Sequence, residues 1–226
     1  MEPSHVKWQT CKIQIYFTHH FPTEMNTPLI GICRHRLSTD GQGVTTLVAF
    51  HGCPLHCRYC LNEQCLTPDG VWQQMDAQQI LDEVMIDDLY FKATNGGVTF
   101  GGGEPLLRSD EIVTFCLMKP ADWHIAIETS LNVDLRHLQA VAPYIDHYII
   151  DVKDMNPNIY RRYTSVDNSQ VIDNLCWLIA HVDAKKITIR LPYIPDYNTP
   201  TDIAQSRTQL ESMGFTNFDC FDYVIR

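Results

Sequence analysis

Val44-Thr45-Thr46-Leu47-Val48-Ala49-Phe50-His51-Gly52-Cys53-Pro54-Leu55-His56-Cys57-Arg58-Tyr59-Cys60 joins a short apolar, β-branched run to a cysteine-rich loop. The run predicts a buried strand that ends near Phe50, and the loop starts at once. Its cysteines are spaced C-x3-C-x2-C. Gly52 and Pro54 let so short a backbone curl until all three sulfurs turn toward one face of a metal centre. Cysteine thiolates are the usual ligands of iron–sulfur clusters, and three of them on a four-iron cluster leave one iron open. The other reading is a structural zinc site completed by His51, His56 or Cys65. Zinc loops favour pairs of C-x2-C from two places, and no second pair occurs. Cys11, Cys33, Cys116, Cys176 and Cys220 are scattered and read as core or incidental.

Outward from this loop, the strand-then-loop unit repeats. Strands are predicted over residues 97–100, 124–127, 147–151, 186–191 and 218–223. Between them, Asp76 with Gln79 forms a capping pair for a helix bearing Ile80, Leu81, Val84, Met85 and Leu89, and Ser109 is a plausible N-cap for one bearing Ile112, Val113 and Phe115. Further helices are expected over residues 134–141, 171–179 and 202–213, the last stopped by Gly214. About six βα units imply an α/β fold with right-handed crossovers and a parallel sheet. Six are too few for a closed eight-stranded barrel, which leaves an open, partial barrel or a doubly wound sheet. Either way, chemistry belongs at the C-terminal strand ends. The cysteine loop, Gly101-Gly102-Gly103, Glu128-Thr129 and Asp151-Lys153 all fall there, so one face should gather them. Residues 1–37, with a short strand at 13–17 and a second start at Leu29, read as an N-terminal extension to a domain spanning 38–226.

The chain has 226 residues, 45% hydrophobic and 19% charged. That composition suits a packed core and not a disordered segment. A net charge of −10 gives no footprint for nucleic acid or an anionic membrane surface. No window approaches the roughly 18 apolar residues of a transmembrane helix. The start, MEPSHVKWQT, has no apolar signal region, so a reduced, cytoplasmic setting is expected for the cysteines.

Several motifs in order carry a resemblance. Phe50-His51-Gly52-Cys53 through Cys60-Leu61-Asn62 is similar to the cluster loop F-x-G-C-x-x-x-C-x-Y-C-x-N, with Tyr59 at the aromatic position. Thr39-Asp40-Gly41-Gln42-Gly43 is similar to a T-x-D-G-x-G turn shortened by one residue. Gly96-Gly97-Val98-Thr99-Phe100-Gly101-Gly102-Gly103-Glu104 resembles G-G-V-T-x-S-G-G-E, with Gly101 in place of Ser. Glu128-Thr129-Ser130 stands where D-T-N-G is usual, and Asp151-Val152-Lys153 where D-x-K is. The chain resembles the radical S-adenosylmethionine (SAM) superfamily and, within it, the glycyl radical enzyme activating enzymes. The closing L-P-Y-H segment of that family has no clear counterpart in residues 218–223.

The resemblance implies a partial (β/α)6 TIM-like barrel holding a 4Fe-4S cluster and SAM. Cys53, Cys57 and Cys60 would hold three irons, with the SAM amino and carboxylate groups on the fourth. An electron from the cluster would then cleave SAM to methionine and a 5′-deoxyadenosyl radical. Gly102 and Gly103 would allow close approach of the methionine moiety, which Glu104 helps to shape, and Tyr59 would lie near the adenine. Asp151 and Glu128 would sit by the SAM carboxylate and a monovalent cation, Glu128 being longer than the usual acid. Thr129 would offer an oxygen, and Lys153 and Arg190 would neighbour SAM or the target. The bland readings are a strand-to-helix turn, a packing tyrosine and solvated charges at strand ends. The implied partners are a glycyl radical enzyme and a flavodoxin or ferredoxin donor. A radical SAM enzyme acting on a small molecule or peptide, similar to 7-carboxy-7-deazaguanine synthase, and a zinc-stabilised binding module are the alternatives.

Overall fold

In the computed structural model, which describes residues 26–37 and 40–223, the repeated units build one sheet. Its strands are β1 (Thr27–Leu37), β2 (Val44–Phe50), β3 (Gln73–Met75), β4 (Gly97–Gly102), β5 (His124–Thr129), β6 (His147–Asp151), β7 (Ile187–Tyr193) and β8 (Asn217–Asp222). They lie in the order β3-β1-β2-β4-β5-β6-β7-β8. From β2 to β8 every neighbouring pair is parallel. Each strand adds to the same side of the one before it. A doubly wound sheet would reverse direction, so this winding decides for the open (β/α)6 barrel. β1 pairs antiparallel with β2, so part of the stretch set apart as an extension belongs to the sheet. The strand expected at 13–17 lies outside the described residues.

The helices are α1 (Ala77–Val84), α2 (Asp88–Thr94), α3 (Ser109–Met118), α4 (Leu135–Val141), α5 (Pro157–Thr164), α6 (Ser169–His181) and α7 (Pro200–Met213). Asp76 and Gln79 close the expected capping box on α1, and Gly214 ends α7 at φ +108°. The helix expected to run through Leu89 breaks instead. A 3-10 turn at Met85–Asp87 separates α1 from α2, and Leu89 is 75% exposed. Ser109 is no cap either: a 3-10 turn at Pro105–Arg108 runs into α3, and the Ser109 hydroxyl bonds His137 Nδ1 at 2.8 Å. Ile80, Ile112, Leu138 and Leu175 of the helices pack with Val48, Phe100, Ile127 and Ile189 of the strands in one core.

Strands β4 and β5 run on past their sequence-based ends. Gly101 and Gly102 have little strand preference of their own; the ladder to Ala49 and Phe50 recruits them. Glu128 and Thr129 are likewise held by Ile149 and Ile150. The extra residues lie at the C-terminal ends, where they carry the site.

His147, at the opposite end of β6, accepts or donates a 3.2 Å bond with Thr188 Oγ1. Burial, with Arg190 adding, holds its pKa below the usual histidine value. The unfolded chain therefore binds the proton more readily, and stability is lost as pH falls through the ordinary histidine range. Urea midpoints of the wild type should drop between about pH 7 and pH 5. His147→Gln should drop less; an equal drop would show that this histidine carries none of the slope.

Candidate active site

The loop after β2 is locked to the loop after β4. Gly52, at φ +101°, turns the chain away from the sheet. Its N–H donates to Cys65 O at 3.0 Å, and its carbonyl accepts from Glu104 N–H at 2.8 Å. Gly103 N–H donates to Phe50 O at 2.9 Å, and Asn62 Nδ2 to Gly102 O at 2.8 Å. On its outer side the cysteine loop is strapped to the end of α5, by His56 N–H to Thr164 O (2.9 Å) and Arg58 N–H to Tyr163 O (3.1 Å). The glycines are needed for this interlock itself. A Cβ on Gly103 would collide with Gly52 O, and one on Gly102, at φ +95°, would stand 2.8 Å from Ala49 Cα. That requirement comes from backbone meeting backbone, before any ligand is considered.

Cys53, Cys57 and Cys60 line one cavity of about 590 Å³. Gly102, Gly103 and Thr129 line it too, as do Glu128, Asp151, Lys153 and Arg190. The size suits a small-molecule site. Charges on the wall are paired, Arg190 of β7 reaching past β6 to Glu128 of β5 and Lys153 reaching back to Asp151 at the end of β6. Arg190 Nη1 donates to Glu128 at 2.8 Å and its Nε lies 3.6 Å from Asp219, and Lys153 donates to Asp151 at 3.3 Å. Burial pushes the Glu128 carboxyl up, with Arg190 opposing. Burial works against the Lys153 charge, yet Asp151 and the neighbouring Cys57 hold its pKa above the usual lysine value. Both carboxylates that the resemblance offers to a monovalent cation are thus already faced by a protein cation.

Burial pushes the Cys53 thiol up to about 12, with Glu104 adding, and the Cys57 thiol up to about 11, with Lys153 opposing. A hydrogen bond from Cys65 brings Cys60 down to about 6. Metal binding at Cys53 and Cys57 therefore releases protons.

Two of the singled-out residues do not reach the cavity wall. Glu104 is 1% exposed and turned inward: its carboxylate accepts from Thr129 Oγ1 (2.6 Å), Ser130 N (2.9 Å), Ser130 Oγ (2.7 Å) and Leu106 N (3.2 Å). Tyr59 faces the other way, its ring against Tyr163 and Tyr197 and its hydroxyl donating to Asp196 at 3.3 Å. Sequence reasoning missed Arg36, Asp40 and Ser130 on the wall, and also Asp219, Phe221 and Tyr223. The last three are spaced i, i+2, i+4, so the period of a strand puts them on one face. That alternation was the available signal.

A single zinc ion needs its ligands within about 2.3 Å of one point. Among the described residues, no three His, Cys, Asp or Glu side chains are grouped so tightly. Three thiols spread around one cavity instead fit a larger sulfur-ligated group, with Cys53, Cys57 and Cys60 as its holders. The sequence model of the Radical SAM superfamily matches residues 47–202, which span the cysteine loop and every cavity strand from β4 to β7. The chain belongs to the radical SAM superfamily. Its cofactors are accordingly a 4Fe-4S cluster and SAM. Among radical SAM proteins it is 34% identical over 147 residues to the (2S)-3-sulfopropanediol dehydratase activating enzyme of Klebsiella oxytoca, covering 63% of this chain and 46% of that one. It is 30% identical over 200 residues to the pyruvate formate-lyase 2-activating enzyme of Escherichia coli K12, covering 75% and 67%. The chain thus spans about half the length of the first relative and two thirds of the second. The crystal structure of Streptococcus suis SuiB with its precursor peptide SuiA shares the radical SAM fold, with a TM-score of 0.62 at 14% identity over 79% of this chain and 38% of that one. No helix among the described residues is long and apolar enough to cross a membrane.

Proposed function

We propose that this chain is a glycyl radical enzyme activating enzyme, acting in the cytoplasm on a partner protein and fed electrons by a flavodoxin or ferredoxin. The observation that carries this reading is the convergence of the three loop thiols and two ion pairs on one cavity. The two activating-enzyme relatives support it over a small-molecule radical SAM enzyme. When bound, the cluster and SAM would supply the one-electron chemistry that removes a hydrogen atom from a glycine of the partner. The chain's own residues do the rest. Cys53, Cys57 and Cys60 hold the cluster by three thiolates. Gly102 and Gly103 present bare backbone to the methionine end of SAM. Lys153 and Arg190, fixed by Asp151 and Glu128, would offer N–H donors to its carboxylate. Thr129, tethered to Glu104, keeps its oxygen at the same wall. Glu104 and Tyr59 act from behind, as braces of the two loops. Residues 38–226 form the catalytic unit, and residues 27–37 insert a strand between its β2 and β3.

A primary alkyl radical attacks almost any nearby C–H bond, so the site must hold its ligand still and dry. The interlocked loops and fixed ion pairs supply that rigidity. The test is electron paramagnetic resonance of a candidate glycyl radical enzyme after anaerobic incubation with the reconstituted chain, SAM and reductant. A glycyl doublet on the partner, with an equivalent amount of 5′-deoxyadenosine, is the expected result. 5′-Deoxyadenosine formed only when a purine-like small molecule is added would favour the other class of enzyme.

A further inference from the structure

The outer face of the cysteine loop is locally basic in an acidic chain. The chain carries −10 overall, yet residues 51–62 and 157–165 contain no Asp or Glu. On that face His56, Arg58, Arg161 and Arg162 are exposed. They belong together because the bonds from His56 N–H to Thr164 O and from Arg58 N–H to Tyr163 O join the loop to the last turn of α5. Arg162 is held in place: it donates to Asp196 O and Tyr197 O, and its guanidinium lies 5.2 Å from the Tyr197 ring centroid. Beneath it, Tyr197 meets Tyr163 at 5.1 Å and Tyr59 at 5.6 Å, and Tyr163 meets the cavity residue Tyr223 at 6.4 Å. The acids beside the patch are Asp167, 3.7 Å from Arg161, Asp196, which takes the Tyr59 hydroxyl, and Asp202, which feels the charge of Arg162 while held in the cap of α7 by Thr199. An exposed pair such as Arg161–Asp167 contributes little, so Arg161 remains available.

We infer that this face, the back of the cysteine loop with the last turn of α5, docks the acidic one-electron carrier protein that reduces the cluster. The inference rests on the activating-enzyme reading. Two observations favour the carrier over the protein that receives the radical. None of the four basic residues lines the cavity, whereas a glycine that gives up hydrogen has to enter it. Arg58 is the neighbour of Cys57, and one residue spans at most ~3.6 Å, so a carrier seated on Arg58 stands close to a cluster ligand without passing through the cavity. The reduced carrier gives up one electron and the cluster gains it; no atom is transferred. The aromatic layer keeps the face rigid, which lowers the ordering cost of docking.

The test uses purified flavodoxin as probe. Its binding to the cluster-free chain, followed by fluorescence anisotropy, should weaken steeply as salt screens the contact. Arg58→Glu and Arg161→Glu together should weaken binding by roughly tenfold or more, Asp167→Asn should tighten it, and Arg207→Glu on α7 should leave it unchanged. In stopped flow on the loaded enzyme, the Arg161→Glu variant should be reduced more slowly by flavodoxin hydroquinone and at the wild-type rate by dithionite. Because Arg161 lies outside the cluster loop, this variant also guards against a loading defect at Arg58. Equal binding by the wild type and the double variant would overturn the proposal. So would a double variant that loses its glycyl radical partner and keeps flavodoxin. The activating-enzyme reading fails by a different sign, a wild type that gives no 5′-deoxyadenosine with dithionite and SAM, whatever flavodoxin does.

Discussion

Cys57→Ala, reconstituted anaerobically with iron and sulfide, is expected to hold far less than the wild type's ~4 irons per chain and to form no 5′-deoxyadenosine above background. Losing an outer-shell partner already costs a metal site roughly 10- to 100-fold, and here a ligand itself is removed. The protein should still fold, because Cys57 packs at the edge of the core and only part of its side chain is buried. Circular dichroism of the cluster-free variant should match the wild type, which separates ligand loss from unfolding. Iron content and product both at wild-type levels would mean that the loop is not the cluster site. Since burial holds the Cys53 and Cys57 thiols protonated near neutrality, loading of the wild type should also quicken as pH rises.

Glu104→Ala is expected to be the most destabilising single change at the site. Four donors converge on that carboxylate, from Thr129, Ser130 and Leu106. Each buried donor left without a partner costs about 1–3 kcal/mol, partly relieved by local rearrangement, so a total of about 3–5 kcal/mol is expected. For a chain of this size that lowers Tm by roughly 10 °C. Burial pushes the Glu104 carboxyl up while the donors oppose the shift. Glu104→Gln, which keeps the shape but brings its own N–H groups among donors, should fall between. Thermal unfolding of the cluster-free proteins decides: a Tm within a degree or two of the wild type for the alanine variant would remove Glu104 as the anchor between the loops after β4 and β5.

The strands and the cysteine loop were legible because their signals are local. An apolar run closed by glycines states a strand, and C-x3-C-x2-C states a common face for sulfur. The placement of four loops at one end of the sheet followed from the parallel winding alone. What could not be read is the direction in which a side chain turns once its neighbours arrive. Glu104 follows two glycines at a strand end, as a ligand-binding acid would, but its partners Thr129 and Ser130 are 25 and 26 residues away in sequence. Tyr59 sits between two cluster cysteines and yet turns outward, because Tyr163 and Tyr197 offer it a ring-lined seat. The short α5 was overlooked although Asn156 and Pro157 carry an N-terminal signature, its eight residues being too few for a clear periodic pattern. The break after α1 was hidden by apolar residues at helical spacing that the fold leaves exposed.

The paired charges on the cavity wall have a bearing on how the molecule answers to salt. Arg36, Lys153 and Arg190 there face Asp40, Glu128, Asp151 and Asp219, so the two signs nearly balance inside a chain that is strongly acidic overall. A ligand that itself carries both signs gains and loses little when screening is increased, whereas a patch of arginines calling an acidic protein from solution is weakened at once. On the docking proposed above, ionic strength should therefore act as a selective dial, weakening the contact with the electron carrier well before it weakens binding in the cavity.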